Sequence, residues 1–335
     1  MLESLVTIPI VFVKGLLSGV IADGRSVDIY LADAAISPEL LEETGARVTY
    51  GQFLALYKSM TDRLDDELLG FLSRPLKRGS YALMLRSAMS ADSLEEGMRR
   101  YASTFRLLQD DLVFEIAREG ELAGMTLRFT NPSIERRIGL HEHILRTIWR
   151  TLAWLIAAKI KVARFDFAFE MPHYVGSYSK VFPAPLRFKQ EFSGFWFNAG
   201  LAGKVIRRSE ADLRDYLGHV QADILVPQGD VNVVSARLRD HLLRTKPDWP
   251  GLKIAAQALH MSPSTLQRRL AFEGKTFQVI KDDLRRDIAI KQLNTSNVSL
   301  PDLADELGFR EDTAFQRAFR NWTGSSPGVY RRGGV

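Results

Sequence analysis

LKIAAQALHMSPSTLQRRLAFEG, residues Leu252–Gly274, and LPDLADELGFREDTAFQRAFRNWTG, residues Leu300–Gly324, are one device written twice. Each reads as an apolar helix, a tight turn, and a second helix with an arginine-bearing segment, Leu-Gln-Arg-Arg-Leu or Phe-Gln-Arg-Ala-Phe. In a helix-turn-helix the second helix enters the major groove and the first braces it. The helices must approach closely, so a small residue on the first faces a bulky apolar one on the second. Ala256 and Leu266 fill these places in the first unit, and Ala304 and Phe315 in the second. Ser262 is a good N-cap and Pro263 a good first helical residue. Gly308 sits where positive φ is needed. His260 stands at that place in the first unit, and the second turn reads one residue longer.

Thr276–Leu293 joins the units. Phe277, Ile280, Leu284, Ile288 and Leu293 have near-helical spacing. A helix over Phe277–Leu293 is about 25 Å long. Recognition helices in successive major grooves must sit roughly 34 Å apart, and a stiff connecting helix sets such a spacing.

Helical phase then selects the outward residues. With Leu266 and Leu270 inward, Ser264, Gln267 and Arg268 face bases, and Thr265 reaches phosphate. With Phe315 and Phe319 inward, Thr313, Gln316 and Arg317 face bases beside Asp312. Gln suits adenine and Arg suits guanine. Arg310, Arg320 and Arg331 suit phosphates. Glu311 and Asp312 repel phosphate, so the first unit is expected to carry more of the specificity.

Charge follows the same division. Val231–Val335 holds 17 basic and 11 acidic residues, a surplus of six, whereas the rest of the 335-residue chain carries 28 and 29. Basic segments neutralise phosphates and release counterions. The chain contains no cysteine, which excludes disulfides and thiolate metal sites and suits the cytoplasm.

Leu5–Ile21 is apolar, but Glu3 precedes it, Pro9 interrupts it and Lys14 lies inside it. It therefore reads as neither export signal nor membrane span. Ile8, Phe12, Leu16 and Val20 at helical spacing make it a core or dimer-face helix.

Residues 1–110 read mostly as short helices, including Tyr50–Met60 and a helix over Asp92–Leu108 capped at Asp92. Leu112–Ala117 and Met125–Thr130 read as a strand pair, Ser133–Lys161 as one long helix, Ala163–Glu170 and Glu191–Phe197 as strands, and Ser209–His219 as a last helix. The fold expected is an α+β N-terminal effector domain over 1–225, with a small β-sheet and many helices. A linker over 226–231 and an all-α domain over 232–335 follow, the latter with two helix-turn-helix units joined by a linker helix.

Phe165, Phe167 and Phe169, with Phe195 and Phe197, read first as core; if a cavity exists, they are candidate walls of an effector pocket, since such pockets are mainly apolar. His141 and His143 are two apart and point to different sides of a helix, so a metal site is not read there. His173 reads as a strand end rather than a pocket residue, and Arg146, Arg150 and Lys159 as surface charge rather than anchors for a carboxylate. No phosphate-binding glycine loop, nucleophile elbow or catalytic triad is found, and no cofactor is expected.

The stretch Gly308–Arg332, GFREDTAFQRAFRNWTGSSPGVYRR, resembles the signature of the AraC/XylS family of bacterial transcription activators. Met261–Gly274 resembles that family's first unit, and the base-facing residues named above occupy its base-contacting positions. Ala46–Tyr50, Gly79–Leu85 and Phe182–Asn198 resemble the long N-terminal domain of a branch that includes ornithine-type, virulence and quorum regulators. The resemblance implies an inducer-binding, dimerising first domain, operator DNA and RNA polymerase as partners, and activation as the outcome. The alternatives are an architectural DNA-binding protein without effector, or an enzyme that its C-terminal domain targets to nucleic acid.

Overall fold

The structure is a computed structural model and describes residues 5–225 and 234–333. The expected linker, 226–231, lies outside the described residues. The chain opens with β1 (Thr7–Pro9), α1 (Ile10–Ala22), α2 (Asp28–Asp33), β2 (Arg47–Thr49) and α3 (Tyr50–Leu64). Next come α4 (Ser80–Met89), α5 (Leu94–Leu108), β3 (Leu112–Glu119), β4 (Leu122–Phe129), α6 (Pro132–Glu135) and α7 (Ile138–Leu155). Then follow β5 (Val162–Asp166), β6 (Leu186–Arg187), β7 (Ser193–Asn198) and α8 (Glu210–Leu225). The remainder is helical: α9 (Val234–Arg244), α10 (Leu252–Ala258), α11 (Pro263–Phe272), α12 (Phe277–Thr295), α13 (Leu300–Glu306), α14 (Asp312–Thr323) and α15 (Pro327–Gly333).

These elements form two compact units that are not consecutive in sequence. The sheet unit comprises Val11–Tyr30 and Leu54–Pro227, and the helical unit comprises Met1–Ile10, Leu31–Phe53 and Gln228–Val335. Two early segments thus group with the helix-turn-helix region.

In the sheet unit the strand order is β3-β4-β7-β5-β6, antiparallel except for the β5–β6 edge. Alternation places Met125, Leu127, Phe165, Phe195 and Phe197 in the core. Helix α7 buries Leu140, Ile144, Leu145, Ile148 and Leu152 at helical spacing, as expected of a face that must cover apolar sheet surface. It meets α1 backbone to backbone: a Cβ on Gly139 would lie 2.4 Å from the Gly15 carbonyl oxygen, so only glycine permits the crossing. Phe12, Leu16 and Val20 of α1 are buried.

Several expected bounds change; the long helix ends at Leu155 rather than Lys161, and the last helix of the sheet unit runs on to Leu225. The long helix breaks into α6 and α7 because Arg137 leaves the helical region (φ −82°, ψ 85°) and donates to the carbonyls of Gly70 and Phe71 at 3.0 and 2.7 Å. The strand at Ala163–Glu170 ends at Asp166, because its partner β7 begins at Ser193 and offers no further ladder beyond the Asp166–Gly194 pair. The cap of α5 is Ser93 rather than Asp92: its hydroxyl accepts from the Glu96 amide, while the Glu96 carboxylate reaches back to the Asp92 amide, both at 3.3 Å.

In the helical unit, β1 pairs antiparallel with β2, Ile8 opposite Val48. Helix α12 packs against β2, α9 and α15, burying Ile280, Leu284, Ile288 and Leu293. It runs two residues past the expected end, with Thr276 as N-cap accepting from the Val279 amide.

Candidate nucleic-acid interface and internal cavity

The two helix-turn-helix units begin their turns identically. The Met261 amide donates to Ala256 O and the His260 amide to Gln257 O, each at 2.9 Å. The Phe309 amide donates to Ala304 O and the Gly308 amide to Asp305 O, again at 2.9 Å. Both are Schellman closures, which require a left-handed residue just past the helix. His260 adopts it at φ 57° and Gly308 at φ 71°, so the left-handed turn is tolerated at the histidine. Four residues, 259–262, then separate α10 from α11, against five, 307–311, between α13 and α14. Ala256, Leu266, Ala304 and Phe315 are all fully buried, as close helix approach demands.

Of the expected base-facing residues, Ser264, Gln267 and Arg268 on α11 and Thr313 and Arg317 on α14 are exposed, and Gln316 is half-buried. Gln316 donates to Asp312 at 3.4 Å, and the Thr313 hydroxyl to Glu311 at 3.3 Å. Arg310 and Arg320 are exposed. Thr265 is half-buried, its hydroxyl 2.8 Å from that of the cap Ser262. Arg331 is half-buried and donates to the Val298 carbonyl, which ties α15 to the loop before α13.

A charge cluster inside the helical unit escapes sequence reading. Asp287 of α12 is 3% exposed and accepts from the Thr7 hydroxyl at 2.6 Å, Arg239 at 2.9 Å and Arg286 at 3.0 Å. Arg47 donates to the Thr7 hydroxyl and carbonyl, both at 2.7 Å. Burial pushes the Asp287 carboxyl up, but the guanidiniums of Arg286, Arg239 and Arg47 outweigh it and hold it below its ordinary value. Burial, aided by Arg286, pushes Arg47 down to about 10. Nearby, the Arg47 amide donates to the Tyr330 hydroxyl at 3.1 Å, and the Gln52 side chain to Asn294 at 2.9 Å. The available signal was an acid beside the buried stripe of α12, a position that needs a partner.

The sheet unit holds a cavity of about 1060 Å³ that is partly open to solvent. Helix α3 lends Tyr57 and Thr61, α4 Tyr81 and Met84, α5 Tyr101 and Phe105, β3 Phe114, and α7 His143, Ile144, Thr147 and Ile148. The Thr61 hydroxyl, His143 Nδ1 and the Thr147 hydroxyl are buried with no hydrogen-bond partner among the described residues. Burial, then the nearby Arg146 charge, pushes His143 down to about 3, so the ring is neutral. Burial, with Glu67 and Asp66 near, raises the Tyr57 phenol. Of the charged lining residues, Asp62 pairs with Lys58 and, at 3.1 Å, with Arg78, Glu67 accepts from the Gly79 and Tyr81 amides at 2.8 and 2.7 Å, and Asp65 is exposed.

The aromatic stripe lies elsewhere. Phe165, Phe167, Phe195 and Phe197 are fully buried and Phe169 half-buried. They pack on one another and on Phe182 and Phe188, Phe165 edge-on to Phe182 at 5.0 Å and Phe167 stacked on Phe188 at 5.3 Å. None of the five lines the cavity. His141 spends both ring nitrogens on Ser193 Oγ (2.7 Å) and Glu135 O (2.6 Å). Arg146 is half-buried rather than a surface charge, and burial pushes it down to about 10. Glu142 accepts from the Tyr174 and Tyr178 hydroxyls, and its burial raises it to about 7. Among the described residues, no three His, Asp or Glu side chains are placed to hold a metal ion, and no helix is long and apolar enough to cross a membrane.

The profile described as the arabinose-binding domain of the AraC transcription regulator, N-terminal, matches residues 24–204, more than half of the chain. This chain belongs to the AraC family. A helix-turn-helix profile matches residues 255–333, and the AraC-family chain is a DNA-binding transcription regulator. It is similar to the ornithine utilization regulator of Pseudomonas aeruginosa, with 26% identity over 329 residues covering 97% of this chain and 96% of the relative. The HTH-type transcriptional regulator VqsM of the same species is 41% identical over 86 residues, 25% of this chain and 26% of that one. A crystal structure of the transcriptional regulator CdpR, also from Pseudomonas aeruginosa, aligns at a TM-score of 0.34 and 18% identity, covering 95% of this chain and 97% of that one.

Proposed function

We propose that this AraC-family regulator switches transcription, as an activator, when a small organic effector occupies the cavity of the sheet unit. The carrying observation is a large, mainly apolar cavity whose wall holds three buried polar atoms without a partner among the described residues. Unsatisfied buried polar groups are costly, and a ligand that meets them recovers that cost. Effector control requires different effector affinity for two states of the chain. Helix α3 belongs to both units: Tyr50–Phe53 count with the helical unit and Leu54–Leu64 with the sheet unit. Gln52 on its first turn holds Asn294 of α12, while Tyr57 and Thr61 form cavity wall.

On DNA, Ser264, Gln267 and Arg268 of α11 and Thr313, Gln316 and Arg317 of α14 read bases, with Arg310, Arg320 and Thr265 on phosphates. The chain works without catalysis, in the cytoplasm, as a homodimer that contacts RNA polymerase. The test is hydroxyl-radical footprinting of the full chain on DNA selected by the protein itself. Two protected major grooves on one face per monomer are expected, and a single protected groove sinks the two-reader arrangement.

A further inference from the structure

The chemistry of the cavity wall narrows the ligand, and this step rests on the effector reading above. We infer that the cavity takes an uncharged, mainly apolar molecule, an aromatic or alkyl body with one hydrogen-bonding head, rather than an amino acid or a sugar.

The body of such a ligand is set by Tyr57, Met84, Tyr101, Phe105, Phe114 and Ile148, all cavity-lining. A cavity of about 1060 Å³ is at the upper end of the usual range for drug-sized ligands, far more than a single amino acid or pentose fills. The head is set by His143 Nδ1 and the hydroxyls of Thr147 and Thr61. His143 and Thr147 are four residues apart on α7, hence neighbours on one helix face, and Thr61 comes from α3. A hydroxyl, amide or amine N–H placed among them finds both donors and acceptors.

A zwitterion finds no such match. Its carboxylate and ammonium would each need a charged or strongly donating partner inside, because an unpaired buried charge costs several kcal/mol. The lining charges are exposed or committed elsewhere: Asp65 is exposed, and the Arg146 guanidinium near His143 is not among the lining residues. Lys58 and Arg78 are exposed and paired with Asp62, and Glu67 is held by two backbone amides. The interior histidine is neutral. A sugar fails for a different reason: each hydroxyl needs a partner, and the wall is dominated by aromatic and aliphatic side chains.

The full-length protein is titrated with N-phenyl-1-naphthylamine, an uncharged aromatic amine that fluoresces in apolar surroundings. L-ornithine and L-arabinose are titrated separately by calorimetry. Saturable binding of one probe per chain is expected, with no heat from the other two at millimolar concentration. Ala82→Trp, which narrows the cavity from α4, lowers probe affinity at least tenfold. Thr147→Val, near-isosteric and chosen to preserve folding, lowers it about threefold, as loss of one hydrogen bond does. If ornithine or arabinose binds in a manner that Ala82→Trp abolishes and the probe does not bind, the cavity remains an effector site and the ligand class is overturned. If none of the three binds, the effector reading falls with it. Probe binding that neither variant changes lies outside the cavity and also overturns the inference.

Discussion

The first helix-turn-helix unit closes its turn with an exposed His260 in the left-handed region, a four-residue connection, and a Ser262 hydroxyl that caps α11 by accepting from the Thr265 amide at 3.1 Å. The second uses Gly308, a five-residue connection and Glu311, whose side chain makes no cap bond. In the second unit Phe309 packs on Phe315 and Trp322 at 5.8 and 6.0 Å, and the Arg285 guanidinium lies 4.9 Å from its ring. The backbone hydrogen bonds of the two turns nonetheless agree. What the chain repeats is a backbone solution that brings alanine on one helix against a bulky side chain on the next. Local side chains reach it by different means: a serine–proline start in one unit, a glycine and an aromatic wedge in the other.

The comparison presumes that α12 holds both units in one body, and the largest expected effect tests that. Asp287→Ala leaves Arg286, Arg239 and Thr7 without their shared acceptor. Removing one partner from a buried ion cluster costs about 3–5 kcal/mol. Urea unfolding is expected to register that loss, with both units melting together; independent melting of the two breaks the single-body premise. The pH dependence follows from the sign of the shift. Asp287 is held below its ordinary value, so its contribution is full at neutral pH and is lost as pH falls through and below about 4. The variant should therefore lose less stability on acidification than the parent.

Gly308→Ala comes next. An L-residue in the left-handed region costs about 1–2 kcal/mol. The new Cβ would also lie 2.7 Å from Trp249 Cδ1 and 3.2 Å from Arg285 Nη2. A total of about 2–4 kcal/mol is expected once that overpacking is added, read as a fall in the unfolding midpoint. An effect below 1 kcal/mol would mean that the second turn does not depend on glycine.

On DNA, Arg268→Ala and Arg317→Ala each remove an exposed candidate base contact. Each is expected to cost about 1–3 kcal/mol and to relax preference at one base pair. The acidic neighbours Glu311 and Asp312, which hold Thr313 and Gln316, predict the larger loss for Arg268. Equal losses in a competition binding assay would remove the functional side of the asymmetry.

The tandem motif was legible because its spacing is local: small residue, turn and bulky residue lie within a dozen positions, and helical phase then sorts inward from outward. The aromatic strands were legible as core for the same reason, through alternation. The cavity was not, because its wall is assembled from six separate elements, α3, α4, α5, β3, α7 and α8, and a void is a property of how they pack. His143 illustrates this. Its spacing from His141 argues against a shared metal, yet spacing says nothing of which of the two finds partners. His141 has two and His143 Nδ1 none among the described residues. Arg47 and Thr7 were equally silent, since their role depends on Asp287, hundreds of residues away in sequence.

The smallest expected effect is the sharpest test of the two turns. His260 is exposed, so its ring buries little and its main contribution is the strain of its backbone at φ 57°. His260→Gly relieves a left-handed penalty of about 1–2 kcal/mol, against which the greater freedom of glycine in the unfolded chain costs about 0.5–1 kcal/mol. The balance is a stabilisation of about 0.5 kcal/mol, a small upward shift in unfolding midpoint with DNA affinity unchanged. The same glycine that the second unit cannot lose is thus one that the first unit gains slightly by acquiring. A loss of more than 1 kcal/mol in His260→Gly would instead show that the imidazole supports the first turn directly, and that the two units share a hydrogen-bond pattern without sharing its energetics.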